Sequence, residues 1–171
     1  MAGSLELTKF VEVSSATANV DVTDCFNDKF DVYKITFSDA TSSFDGSSNN
    51  VRFINSSGSV ISSSDYDFAY QRLRADSSFN ELRGTSQDKL QEAGGIIPNT
   101  ESVGVVLYVF NPFSSSAFTF VIMQMSSMSG TQFRNYKYIG VLKDTTSITG
   151  IRFINADGNT TSAKISVYGV K

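Results

Sequence analysis

Val103-Gly-Val-Val-Leu-Tyr-Val-Phe110, then Asn111-Pro-Phe-Ser-Ser-Ser116, then Ala117-Phe-Thr-Phe-Val-Ile-Met-Gln-Met125 is the stretch that decides the fold. Two apolar runs flank a polar break. The first run is short and holds four β-branched valines, which favours a strand over a helix. As a strand it places Val103, Val105, Leu107 and Val109 on one face and Val106, Tyr108 and Phe110 on the other. The second run sets Phe118, Phe120 and Ile122 against Thr119, Val121, Met123 and Met125. Strands apolar on both faces are central strands covered on both sides. Pro112 cannot continue a ladder, and the serines after it favour a turn. A central hairpin follows. One cover is expected to be the chain's own second sheet and the other a neighbouring copy, with Val106, Tyr108, Phe110, Val121, Met123 and Met125 as candidate self-association residues.

Working outward, the other segments repeat the alternating pattern. Leu5–Val13, Ala18–Val22, Val32–Phe37, Tyr66–Arg74, Phe133–Leu142, Ser147–Asn155 and Ile165–Val170 each read as a strand. Val51-Arg-Phe-Ile-Asn55 with Gly58 recurs as Ile151-Arg-Phe-Ile-Asn155 with Gly158, and each copy carries hairpin-turn residues. The recurrence fits either a duplicated half or two hairpins using the same turn chemistry. Ser38–Asn50 reads as polar loop and Ser126–Gly130 as loop. Asp24–Asp31 has the look of one helical turn, and Ser86–Ala93 that of a short helix in a Ser-, Gly- and charge-rich segment from Ala75 to Thr100. Roughly ten short strands without a sustained 3.6-residue period predict an all-β, two-sheet β-sandwich, jelly-roll-like, forming one domain over residues 1–171.

Composition narrows the function. Across 171 residues, 40% are hydrophobic and 12% aromatic, enough to bury a core, while only 18% are charged. Ser, Thr and Asn must therefore cover much of the surface. A net charge of −3 without a basic cluster argues against nucleic acid as a partner. No apolar run reaches the roughly 20 residues of a membrane helix, and the opening Met-Ala-Gly-Ser-Leu-Glu-Leu-Thr-Lys has no signal-peptide pattern. Synthesis in a reducing cytoplasm is expected, with the single Cys25 a small buried residue. The absence of histidine removes Ser-His-Asp and Cys-His nucleophile systems and the usual zinc sites. No cofactor or metal motif is present.

The remaining polar groups offer few sites. Asp65 and Asp67, and the series Asp21, Asp24, Asp28 and Asp31, could in principle serve as acid–base or cation ligands, but they read more simply as solvated loop and edge carboxylates. Tyr66, Tyr70, Arg72 and Arg74 share one strand face and form a candidate surface for an anionic or sugar-bearing partner.

Several stretches carry a resemblance. Leu5–Lys9, Val20–Thr23, Phe30–Phe37, Val51–Asp67, Ile139–Leu142, Ile148–Phe153 and Ile165–Lys171 resemble short virion-associated proteins of marine tailed bacteriophages. The resemblance implies a non-enzymatic structural β-sandwich displayed on the virion, as a capsid decoration or tail-fibre module. It also implies a homotrimer that contacts other virion proteins. Binding of a host-surface glycan is the alternative, and a carboxylate-dependent glycoside hydrolase a third. The resemblance assigns no functional residue.

Overall fold

The computed structural model describes residues 4–171; residues 1–3, which open the stretch scanned for a signal, lie outside it. Twelve strands and no helix make up the described chain. They are β1 (Leu5–Val13), β2 (Asn19–Val22), β3 (Val32–Ser42), β4 (Ser47–Asn55), β5 (Tyr66–Arg74), β6 (Asn80–Gln87), β7 (Ile96–Ile97), β8 (Val103–Phe110), β9 (Thr119–Ser129), β10 (Gln132–Leu142), β11 (Ile148–Asn155) and β12 (Thr160–Val170). One sheet has the order β1-β12-β3-β8-β9-β10-β5-β6, the other β2-β11-β4-β7, and the pairings are antiparallel. Apart from the β5–β6 and β8–β9–β10 hairpins, successive strands cross between sheets, giving a jelly-roll-like sandwich.

The central hairpin is as expected. β8 and β9 occupy the fourth and fifth places of the eight-stranded sheet, with Leu107 opposite Met123 and Val109 opposite Val121. Val103, Val105, Leu107, Val109, Val121, Met123 and Met125 all point inward and are buried. Facing them from the smaller sheet are Val20, Val22, Val51, Phe53, Ile148, Ile151 and Phe153, and all belong to one continuous core. Two glycines let covering segments approach the large sheet. A Cβ on Gly140 would meet Leu90 Cδ2 at 2.8 Å, and one on Gly169 would meet the Phe30 ring at 2.2 Å.

Four segments differ from expectation. Ser86–Ala93 is not helical: its first residues complete β6, and Gln91–Gly94 forms turns. The β5 backbone offers β6 an unfilled edge, so a polar sequence of low apolar content still pairs. Asp24–Asp31 is an irregular loop, tied down by Tyr33, whose hydroxyl accepts from Asn27 N–H at 2.8 Å and donates to Asn27 O at 3.0 Å. Ser38–Asn50 is mostly strand, because β3 and β4 extend into it. Its buried Ser42 and Ser47 both bond Asn155, which donates to Ser42 Oγ at 3.0 Å and accepts from Ser47 Oγ. Ser126–Ser129 likewise continues β9, leaving the turn at Gly130.

The recurring Val/Ile-Arg-Phe-Ile-Asn segments are neighbours. β4 pairs β11 with Phe53 opposite Ile151, Arg52 opposite Arg152 and Val51 opposite Phe153. Like charges directly opposite one another destabilise a sheet. Each arginine is therefore matched separately: Arg152 to Asp21 by two bonds of 2.6 Å, and Arg52 to the carboxylate and carbonyl of Asp88.

Cys25 is buried, with its thiol donating to Val22 O at 3.3 Å, and desolvation pushes its pKa up to about 12. A thiol reagent should leave it unmodified in the folded protein and label it fully in denaturant; rapid labelling of the native protein would contradict this placement. Leu107→Ala should destabilise the fold by about 2–5 kcal/mol in chemical denaturation, because the cavity would lie between two packed sheets.

Candidate functional site

The strand period of two gives the large sheet an outer face on which the central residues have no cover from this chain. Register aligns them in rows. Lys34, Tyr108, Ile122, Ile139, Ala69 and Arg83 form one row across six strands, and Phe110, Phe120, Val141 and Asp67 the next. Ile139 is 61% exposed, and Phe120 and Ile122 are each 48% exposed. These side chains line a shallow groove of about 530 Å³ between Phe110, Phe120, Ile139 and Arg83. A second apolar group, Leu5, Leu7 and Phe10, stands exposed near the β1 edge. Lys34, Glu81, Arg83 and Lys137 surround the central patch without forming an ion pair with any described residue.

The candidate self-association residues therefore divide. Val106, Tyr108 and Phe110 lie on the outer face, Tyr108 exposed at 36% and the other two half-buried. Val121, Met123 and Met125 do not: they point into the core, because their parity on β9 is the inward one. The outer residues of β9 are Phe120 and Ile122, which the sequence reading placed on the opposite face without naming them as contacts.

The Tyr/Arg face is corrected in the same way. Tyr66, Tyr70, Arg72 and Arg74 share a face, but it is the inner one. Tyr66 links the sheets, accepting from Phe53 N–H at 3.0 Å and donating to Ile61 O at 3.1 Å. Tyr70 packs tilted on Tyr136 at 5.0 Å and stacks with Tyr138 at 5.9 Å, so neither Tyr66 nor Tyr70 offers an exposed ring. Arg72 and Arg74 lie at the end of this face and are half-buried. Arg74 is bound by two bonds, 3.1 and 3.0 Å, to Asp76.

Beside Arg72 the interior becomes polar. Register sets Arg72 opposite Tyr136, Arg74 opposite Arg134, and Arg134 opposite Ser127. Glu92, from the segment after β6, acts on the acidity of Tyr70, Tyr136 and Tyr138. Burial, then the Glu92 charge, pushes Tyr136 up to about 12, with Arg72 partly offsetting them. Burial also raises Tyr70 and Tyr138. Burial lowers Arg72, but the Tyr136 and Tyr70 phenols and Glu92 outweigh it and leave its pKa raised. Despite this proximity, Arg72 Nε, Glu92 Oε2, Ser127 Oγ, Arg134 Nε, Tyr136 OH and Tyr138 OH are buried without a well-oriented hydrogen-bond partner in the protein. Of this cluster only Arg72 stood out in the sequence as a contact; Tyr136 and Tyr138 fell within the expected strand Phe133–Leu142.

Of the carboxylate candidates, Asp21 is paired with Arg152. Asp67 lies on the outer face, 2.9 Å from Lys143 Nζ and accepting from Ser86 N–H at 2.7 Å; Lys143 first, then that N–H, hold its pKa low. A carboxyl held low is a poor general acid at neutral pH. Among the described residues, no group of three or more His, Cys, Asp or Glu is placed to hold a metal ion.

No family model matches the chain, and no curated protein matches it. Among solved structures it is similar to a mutant alginate lyase in complex with an alginate trisaccharide, at 14% identity and a TM-score of 0.33 over 94% of this chain and 79% of that one. So weak a likeness transfers neither fold nor activity.

Asp67 has its pKa depressed on folding, so its pairing contributes stability above the unfolded value near 3.9 and loses it as pH falls through the folded value. Asp67→Asn should thus be less stable than the parent at pH 7, with the gap closing below about pH 4. A gap that persists at pH 2.5 would contradict the ion pair with Lys143.

Proposed function

We propose that this chain is a non-enzymatic structural module of a bacteriophage particle that assembles with copies of itself through the outer face of its eight-stranded sheet. One observation supports the reading most: the exposed row Tyr108, Ile122 and Ile139, backed by Phe110 and Phe120. Monomeric soluble proteins rarely expose a continuous apolar patch beyond a few hundred Å².

A second copy is the occupant that best fits this face. Eight strands about 4.8 Å apart and some eight residues long present roughly 1,000 Å², against about 800 Å² per partner in a stable interface. The patch is bordered by both signs of charge, with Glu81 against Lys34, Arg83 and Lys137, so a copy can supply the opposite sign to its neighbour. The separate Leu5, Leu7 and Phe10 group gives a second apolar surface. A contact between unlike patches closes into a ring when its rotation returns to the start, and the expected homotrimer is such a ring.

Light scattering at tens of micromolar should find an oligomer, three times the 18.6 kDa chain mass for the trimer. Ile122→Glu with Ile139→Glu should give a monomer that melts within a few degrees of the parent, since both side chains are already largely exposed. A monomeric parent, or a variant that stays oligomeric, would overturn the interface. Mass spectrometry of purified particles should detect the chain in many copies; its absence from them would overturn the virion role.

A further inference from the structure

The large sheet ends in β1 on one side and β6 on the other, and only β1 is guarded. β1 has a bulge between Leu7 and Lys9, and register sets Lys9 opposite the buried Val167, which puts a charge on the inward side of that strand. A bulge and an inward charge both discourage pairing at an edge. β6 has neither along Asn80–Gly84, where its register on β5 is regular. That run holds no Lys or Pro, and its inward positions are Asn80, Leu82 and Gly84. Its far side pairs with no described strand. We propose that β6 is an assembly edge that pairs antiparallel with β6 of a second copy, about a two-fold axis at Leu82, joining two large sheets into one.

Charge selects both the occupant and the register. Glu81 is set opposite Gln71 and Arg83 opposite Ala69, so both stand on the outer face. Both are exposed, and neither forms an ion pair with a described residue. A two-fold axis normal to the sheet keeps each face continuous and sets residues of like parity opposite one another. Centred on Glu81 or on Arg83, it brings like charges face to face, which destabilises an antiparallel pair. Centred on Gly84, it sets Arg83 against Thr85 of the copy and leaves both charges unmatched. Centred on Leu82, it sets Glu81 against the copy's Arg83 and Arg83 against the copy's Glu81. On the inner face Leu82, 39% exposed in one chain, then meets its own counterpart. The regular run spans only about 17 Å, too little for the roughly 800 Å² per partner of a stable interface. The pair is therefore weak between single chains and tightens where assembled copies present several edges at once. It uses the rim of the sheet and holds whether or not the outer faces meet.

Disulfide trapping reads so weak a pair directly, and Ile122→Glu with Ile139→Glu as the background removes the outer-face contact. The native Cys25 is buried and stays out of the exchange. In that background Leu82→Cys, at tens of micromolar in oxidised glutathione buffer, should give a covalent dimer of twice 18.6 kDa. Asn80→Cys, on the same face, would lie roughly 14 Å from its counterpart, beyond disulfide reach, and should cross-link at least about tenfold more slowly. Adding Glu81→Arg to Leu82→Cys should slow cross-linking about fivefold or more, and adding Arg83→Glu as well should restore it to within about twofold. No dimer from Leu82→Cys, equal rates for Leu82→Cys and Asn80→Cys, or a rate that Glu81→Arg leaves unchanged or Arg83→Glu fails to rescue would overturn the edge. A dimer trapped in register while the parent chain scatters as a monomer would uphold the edge and remove the outer-face interface.

Discussion

Everything in this fold depends on one apolar layer, the contact between the inward residues of β3, β8 and β9 and those of β4 and β11. Ile35, Phe37, Leu107, Val121 and Met123 meet Val51, Phe53, Ile151 and Phe153, and with one free cysteine there is no disulfide to share the load. At about 25 cal/mol per Å² of apolar surface, burying such side chains is the dominant favourable term. The layer also fixes register. Slipping β9 by one residue would turn Val121 and Met123 outward and bring Phe120 and Ile122 in.

The same layer explains why the polar end exists. The four strands of the smaller sheet cannot cover all eight strands of the larger one. Over β10 and β5, cover comes from single residues of the chain after β6, such as Leu90 against Gly140. Beyond Leu90 the inward positions change from Tyr and Met to Arg and Ser, following the loss of an apolar roof. The sandwich thus has an apolar middle and a polar end on one continuous face.

Much of this was legible in the sequence, and the rest was hidden for identifiable reasons. The hairpin Val103–Met125 and the all-β class follow from period-two patterns in apolar residues. β6 was not legible because Asn80–Gln87 is polar and owes its pairing to the β5 edge. The direction of Tyr66 and Tyr70 was misjudged because alternation shows which residues share a face, not whether that face is inside. Two-sided apolar strands hid the same choice on β9, where an inward methionine and an outward isoleucine look alike. Glu92 could not be connected with Tyr136, since only tertiary packing brings the segment after β6 against β10.

The pairing of the two Val/Ile-Arg-Phe-Ile-Asn segments has a consequence for how the chain reaches this state. The centre of the smaller sheet joins β4 to β11, and β1 and β3 both pair with β12, so residues made early wait for residues made last. Such non-local pairing places the molecule among slow folders, since loop closure precedes the reward of contact. During synthesis the β8–β9–β10 meander can close by local turns while its inner face still lacks a roof. Its Val, Leu and Met side chains then stand open to neighbouring nascent chains. The low overall charge gives little repulsion between such chains at that stage.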